Sequence, residues 1–226
     1  MISPPRLALG LFRPIAHNYE RWASILSLGQ DGRWRRRLIV GLGVPSASLI
    51  LDVAAGTGSI TRSLLAQGHR VIALDQSEEM IGQLDAKGAI RLLATAERLP
   101  IPDEAFDALT AGYLLRYVED LPSAMRELSR VVRVGGTISM LEFGRPTGVW
   151  GPLWWLYTRI ALPVAGTVIG HGWGEVGRFL GPSIDGFWST YSPGDLGRVW
   201  EAAGLGQVQW QRMSLGGGFV IRGVKK

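Results

Sequence analysis

Between residues 49 and 143, short apolar runs alternate with amphipathic stretches, and each run is closed by a turn signal. Residues 49–53 predict a buried strand, 61–67 a helix ended by Gly68, and 70–75 a second strand. A helix over 77–86 capped by Ser77, a third strand at 89–94 and a fourth at 105–113 follow. A helix over 119–132, stopped by Gly135-Gly136, then leads to a fifth strand at 137–143. Such alternation predicts an α/β fold with a doubly wound, mostly parallel sheet.

The pattern differs on both sides of this core. Residues 7–40 read as helical, with Trp22, Ile25 and Leu26 at i, i+3, i+4 spacing and a basic run at Arg33, Arg35, Arg36 and Arg37 around Trp34. Residues 145–190 are rich in Gly, Pro and Trp, and from 149 to 170 Arg159 is the only charge. The apolar stretches beside Arg159 are too short for a bilayer crossing and are broken by Gly151, Pro152 and Pro163, so an inserted helical lid is expected. A helix ended by Gly204 and two strands at 207–213 and 216–226 close the chain as an antiparallel hairpin, bringing the sheet to seven strands. One domain is expected: 1–45 N-terminal helices, 46–144 cofactor-binding core, 145–190 lid, 191–226 closing helix and hairpin.

Composition narrows the chemistry. With 46% hydrophobic and 19% charged residues over 226 positions, the chain builds a large core and is not disordered. Lys+Arg number 24 against 19 Asp+Glu, a net +5 carried almost wholly by Arg, which favours anionic ligands or surfaces. The absence of Cys excludes disulfides, thiol nucleophiles, thiolate zinc sites and iron–sulfur clusters. His17, His69 and His171 have no ligand-like spacing, so no metal is expected. The first residues show no secretory leader, which predicts a cytoplasmic protein with association at the inner membrane face left open.

The strongest motif is Leu51-Asp52-Val53-Ala54-Ala55-Gly56-Thr57-Gly58, where the first strand turns into its helix. Glycines there let a ligand approach the backbone, and the helix N-terminus favours a negative group. A nicotinamide fingerprint wants a third glycine where this chain has Thr61. Asp75 ends the second strand beside this loop, placed to accept hydrogen bonds from both hydroxyls of a ribose, so an adenosine-containing cofactor is indicated. The plainer alternative is that Asp52, Asp75 and the glycines only shape turns and caps.

LDVAAGTGSIT, ALDQSEEMI, ATAERLPIPDEAFDALT and LSRVVRVGGTISMLEF together resemble class I S-adenosylmethionine (SAM)-dependent methyltransferases. FRPIAHNYERWASILSLGQDGRWRRRL, LLRYVED, EFGRP and SLGGGFVIRGVK narrow the resemblance to the ubiquinone/menaquinone biosynthesis C-methyltransferase family over nearly the whole chain. The resemblance implies SAM as cofactor and S-adenosylhomocysteine (SAH) as product. It places cofactor contacts on Thr57, Asp75, Met80, Thr95, Ala96 and Gly112, with Asp52, Ala54, Gly56, Gly58, Gln76 and Glu97 from the same motifs. Thr95 stands where the family usually has Asp or Asn, leaving the Ala96 N–H to face the adenine.

Methyl transfer to a quinol ring carbon needs alignment, exclusion of water and a neighbouring hydroxyl near ionisation, but no metal. The resemblance makes Arg116 the first catalytic candidate, a cation that lowers a hydroxyl's pKa; its alternative is a surface arginine ahead of a helix. Tyr19 and His17, in the N-terminal segment expected to close over the substrate, are the other two. Tyr113, Glu142 and His171 are further candidates for the acceptor pocket. Tyr117, Glu20 and Ala23 replace the family's Asn, Asp and Asn.

The resemblance thus implies methylation of a lipophilic aromatic, foremost a polyprenyl quinol such as demethylmenaquinol. A phospholipid amine, a sterol-like lipid or a secondary metabolite is the alternative acceptor. An enzyme methylating exocyclic amines of nucleic acid would show Pro-Pro-aromatic after the fourth strand, where Gly112-Tyr113-Leu114-Leu115 stands, so no nucleic-acid partner is expected. A non-catalytic membrane-surface module stays open. Trp150, Trp154, Trp155 and Tyr157 of the lid are expected either to pack as core or to meet an isoprenoid tail or the bilayer interface, a peripheral membrane contact. The Arg33–Arg37 run reads as a solvated helix face with headgroup contact as the alternative.

Overall fold

The computed structural model describes residues 4–226. The N-terminal segment forms α1 (Pro4–Phe12), a 3-10 turn (Arg13–Asn18), α2 (Tyr19–Leu26) and α3 (Gln30–Val40). It is segmented because Pro14 supplies no backbone donor in the turn and Gly29 takes φ 71 ahead of α3.

The core then runs β1 (Leu49–Val53), α4 (Ser59–Ala66), β2 (Arg70–Asp75), α5 (Glu78–Gly82), β3 (Ile90–Leu93), β4 (Phe106–Gly112), α6 (Leu121–Arg130) and β5 (Val132–Phe143). The lid comprises α7 (Gly151–Leu156), a π-helical turn (Tyr157–Ala161), α8 (Leu162–Ile169) and α9 (Trp173–Thr190), and α10 (Pro193–Ala202), β6 (Leu205–Met213) and β7 (Gly218–Lys225) finish the chain. The sheet order is β3-β2-β1-β4-β5-β7-β6, with the first five strands parallel and β7 antiparallel to both neighbours.

Alternation along β1 sends Ile50 to one face, against Trp34 and Leu38 of α3 and Leu64 of α4, and Leu51 and Val53 to the other, with Met125 of α6 and Trp200 of α10. Helices on both faces leave the carboxyl ends of the central strands to face α1, α2 and the lid.

Two expected elements change. The helix over 77–86 is only the short α5, although Ser77 does cap it, its Oγ accepting from Met80 N–H at 3.2 Å. The helix over 119–132 ends at Arg130, and Gly135-Gly136 lie inside β5. Val132 already pairs with Phe106, and a Cβ on Gly136 would fall 2.7 Å from the Asp107 carbonyl, so these glycines serve a close strand contact at an irregular register.

Candidate active site

A crevice of about 110 Å³ lies at the carboxyl ends of β1, β2 and β4. Its floor begins where the chain leaves β1: Ala54 (φ 54) and Gly56 (φ 56) turn left-handed, and a Cβ on Gly56 would meet Met80 Cε at 3.1 Å. Asp75 is buried in its wall, its Oδ2 accepting from Gly56 N–H at 2.8 Å and Oδ1 from Ser77 N–H at 2.9 Å. Burial pushes the Asp75 carboxyl up, and those backbone donors oppose the push. Pro5, Ala8, Leu9 and Phe12 of α1 roof the crevice, and Gln76 Nε2 donates to the Pro5 carbonyl at 3.3 Å.

Of the sequence-predicted cofactor residues, Ala54, Gly56, Thr57, Asp75, Gln76, Met80, Thr95, Ala96, Glu97 and Gly112 line this crevice. Asp52 and Gly58 do not. Asp52 is fully buried, accepting from Thr110 Oγ1 at 2.8 Å and Thr61 Oγ1 at 2.6 Å, and burial raises its pKa to about 6 against those bonds. Gly58 (φ 89) stands just before α4, where a Cβ would fall 2.7 Å from Leu84 Cγ. The Thr57 hydroxyl donates to Glu20 Oε1 at 2.7 Å, and Arg62 pairs with the same oxygen, tying α2 to the loop.

A second, larger cavity of about 400 Å³ opens beyond Phe12, Tyr19, Tyr113 and Tyr117, which line both spaces. Its walls are aromatic, with Trp34, Phe143, Trp150, Trp154, Tyr157 and Trp173 among them. Trp155, grouped with these aromatics in the sequence, is instead 55% exposed on the lid.

Arg116 lines this chamber and is not a surface arginine: its side chain is 2% exposed. Its Nε donates to Glu142 Oε1 at 2.9 Å and Nη1 to Ser183 Oγ at 3.1 Å, while the guanidinium lies over the Tyr117 and Phe143 rings. Burial works against its charge, but Glu142 outweighs that and holds its pKa above the usual value. Glu142 Oε2 is buried without a hydrogen-bond partner. Tyr19 stacks on Trp173, and burial lifts its phenol to about 12, with Arg35 pulling the other way.

His17 lines neither space. It is exposed in the 3-10 turn, its ring centroid 6.0 Å from that of the exposed His171, because α1 and Tyr19 occupy the inner face of that segment.

Asp31 and Arg35, which sequence reasoning missed as site residues, join Tyr113. The Tyr113 hydroxyl donates to Asp31 Oδ1 at 2.7 Å, and Arg35 Nε donates to Asp31 Oδ2 at 2.8 Å. Tyr113 holds φ 60, an uncommon conformation for a bulky side chain, fixed by its N–H bond to the Leu141 carbonyl and a 4.5 Å stack on Phe143. The readable signal was the four-residue spacing of Asp31 and Arg35 beside Trp34, an ion-pair spacing within a run that looked solvated.

Comparison with known proteins gives the family and the fold. The sequence profile of the ubiE/COQ5 methyltransferase family matches residues 6–225. The chain belongs to that family. A demethylmenaquinone methyltransferase of Mycobacterium sp. (strain KMS) is 34% identical over 213 residues, covering 94% of this chain and 91% of the relative. One of Tropheryma whipplei (strain Twist) is 31% identical over 211 residues, covering 91% and 86%. A solved SAM-dependent methyltransferase of Thermotoga maritima superposes with TM-score 0.69 at 20% identity over 96% of this chain and 99% of that one, which confirms the fold. The protein is thus a SAM-dependent methyltransferase of the doubly wound class. The crevice fits the cofactor: an acidic side chain is fixed at the tip of β2, beside a left-handed glycine loop and the Met80 side chain.

Proposed function

We propose that the chain methylates a ring carbon of a lipophilic quinol such as demethylmenaquinol, the reduced form of the demethylmenaquinone named in its relatives. The observation that carries this reading is the aromatic chamber of about 400 Å³ sharing four side chains with the cofactor crevice. A flat, apolar ring system stacks in such walls, whereas a headgroup amine would want several carboxylates, and among the described residues the chamber wall carries one, Asp31. When bound, SAM supplies a methyl group to a carbon nucleophile aligned with its sulfonium.

On this reading Asp75 holds the ribose, Met80 packs on the adenine, and the Ala96 N–H lies beside it, with Thr57, Thr95, Glu97 and Gly112 completing the wall. Tyr19 and Tyr113, at the passage between the spaces, hold the ring facing the crevice. Arg116 presents the one cation among the described residues lining the chamber, placed to stabilise negative charge growing on a ring oxygen. The α1 roof and the lid exclude water.

The isoprenoid tail leaves through the mouth and the lid meets a bilayer there. Leu28, Leu153 and Leu215 are 79%, 57% and 63% exposed while also lining the chamber, and Val149, next in sequence to the chamber-lining Trp150, is 80% exposed. No described helix is long and apolar enough to cross a membrane, so the contact is peripheral. The decisive experiment incubates the protein with methyl-labelled SAM and vesicles containing demethylmenaquinol. Label on the ring carbon is expected; label only on phospholipid headgroups, or none, refutes the reading.

A further inference from the structure

Every methylation of a ring carbon ortho to a hydroxyl must dispose of a proton, and the chamber restricts where it goes. No histidine lines the chamber or the crevice among the described residues. Arg116 stays protonated, held so by Glu142. The phenols in the walls are proton donors: burial lifts Tyr19 and Tyr157 to about 12 and raises Tyr113 and Tyr117 as well. Glu142 stands behind Arg116 and does not line the chamber. Asp31 alone among the described residues brings a carboxylate to the chamber wall.

Asp31 is also built to stay in place. Each carboxylate oxygen accepts one bond, Oδ1 from Tyr113 and Oδ2 from Arg35, which leaves lone pairs on both for a further donor. Its side chain is 15% exposed and that of Arg35 12%. Arg35 lines the crevice and Asp31 the chamber, so the pair bridges the two spaces at the passage marked by the strained Tyr113.

We propose that the Asp31 carboxylate, oriented by Arg35 and Tyr113, accepts the proton that the ring hydroxyl of the methyl acceptor gives up during methyl transfer. This assignment rests on the reading of the chamber as the site of a hydroxylated ring. The O–H bond breaks toward Asp31, its electron pair enters the ring, and the ortho carbon takes the methyl group as the carbon–sulfur bond breaks, leaving its pair on sulfur. Asp31 passes its proton to solvent, and the methylated dienone tautomerises with water, the ring carbon losing its hydrogen as the ring oxygen gains one, which restores aromaticity. One net proton leaves through Asp31 to solvent. Tyr113 is a positioning residue in this scheme, keeping Oδ1 turned to the passage.

The test compares Asp31→Asn and Asp31→Ala with the wild type, each checked for SAH binding by calorimetry. SAH affinity should be unchanged while turnover drops by about 10²–10⁴-fold, the usual worth of a positioned base. Formate should restore turnover to Asp31→Ala and not to Asp31→Asn, since only the alanine variant leaves space for a small carboxylate. A ring-fluorinated acceptor already ionised at the assay pH should lose little of its turnover in either variant. If the ionised acceptor suffers the same loss, or if Asp31→Asn turns over normally, Asp31 is not the base. Should both Asp31 variants fail to bind SAH, Tyr113→Phe carries the test: it keeps the stack on Phe143, and its smaller loss should likewise vanish with the ionised acceptor. The quinol reading fails separately: wild-type label on a different phenolic ring discards the quinol, and the same variants are then scored on that ring. Label confined to an amine, or no transfer at all, ends both.

Discussion

Asp75 and Arg116 are held by quite different contacts, and their variants should separate. Asp75 is fixed by two backbone donors and faces the cofactor crevice, so Asp75→Ala, removing the two charge-assisted bonds proposed to the ribose hydroxyls at roughly 1.5–3 kcal/mol each, should weaken SAH binding by about 10²-fold or more. Calorimetry on folded variant checks this. Arg116→Ala should leave that affinity near wild type but destabilise the fold by roughly 3–5 kcal/mol, because it strands the Glu142 carboxylate in the core. Urea unfolding should show Arg116→Met with Glu142→Gln recovering part of the loss; equal instability of single and double variants would remove the pair from the account. Asp52 gives a pH signature. Its folded pKa of about 6 lies above the unfolded value, so its contribution is complete below the unfolded pKa and is lost as pH rises through about 6. Stability of the wild type relative to Asp52→Asn should therefore grow by up to about 3 kcal/mol between pH 7 and pH 4, at 1.36 kcal/mol per pKa unit. Denaturant titrations across that range measure it. Asp75 was placed beside the crevice because it closes a strand, whose end the alternating pattern declares, whereas Arg116, in the turn after β4, was reached only through the family resemblance. Asp31 was not legible, since its partner Tyr113 lies 82 residues away and its four-residue spacing to Arg35, the one local signal, is shared by ordinary solvated ion pairs. His17 misled for the converse reason: its segment does cover the crevice, but the side chain faces outward.

Among the elements, those with strong periodicity were read correctly and those defined by contact were not. Parallel strands stand at all five predicted apolar runs, β5 starting early at Val132; β1, β2 and β4 are read from buried runs hydrophobic on both faces, whereas β3 is an edge strand with Ile90 and Leu93 exposed. The end of α6 was misplaced because Gly135-Gly136 looks like a helix stop, although its need is for close approach of β5 to β4. The lid shows the same principle. Its α8 and α9 meet backbone to backbone, and a Cβ on Gly166 or Gly177 would fall 2.3 Å from the Trp173 carbonyl or 2.6 Å from that of Leu162. Gly177→Ala should push the two helices apart and cost about 1–3 kcal/mol, as overpacking does. The chamber wall includes Gly177 and Leu162, so turnover should fall more than SAH affinity. Hydrogen exchange should show faster opening of α8 and α9 with β1–β4 unchanged; uniform acceleration across the sheet would place the strain elsewhere.

At the scale of the whole molecule, two covers meet over one reaction space. The N-terminal helices roof the cofactor crevice and are tied down through Glu20 to Thr57 and Arg62, while the lid closes the chamber and is joined to α2 by the Tyr157 hydroxyl bond to the Leu26 carbonyl. The two openings differ in character. The crevice admits a charged, water-soluble nucleoside, whereas the chamber mouth is ringed by the exposed side chains of Leu28, Leu153 and Leu215. In water such a rim is unfavourable by about 25 cal/mol per Å² of apolar surface, a penalty relieved at a bilayer interface. On the proposed reading, a membrane-embedded acceptor would pass from lipid to chamber without crossing water. Replacing Leu28 and Leu153 with Glu should abolish sedimentation with phospholipid vesicles and lower turnover of a long-chain, vesicle-borne quinol. Turnover of a tail-less, water-soluble quinol should stay near wild type, since neither side chain belongs to the passage between the spaces. Equal losses on the two acceptors would mean that the leucines shape the chamber and do not touch a membrane.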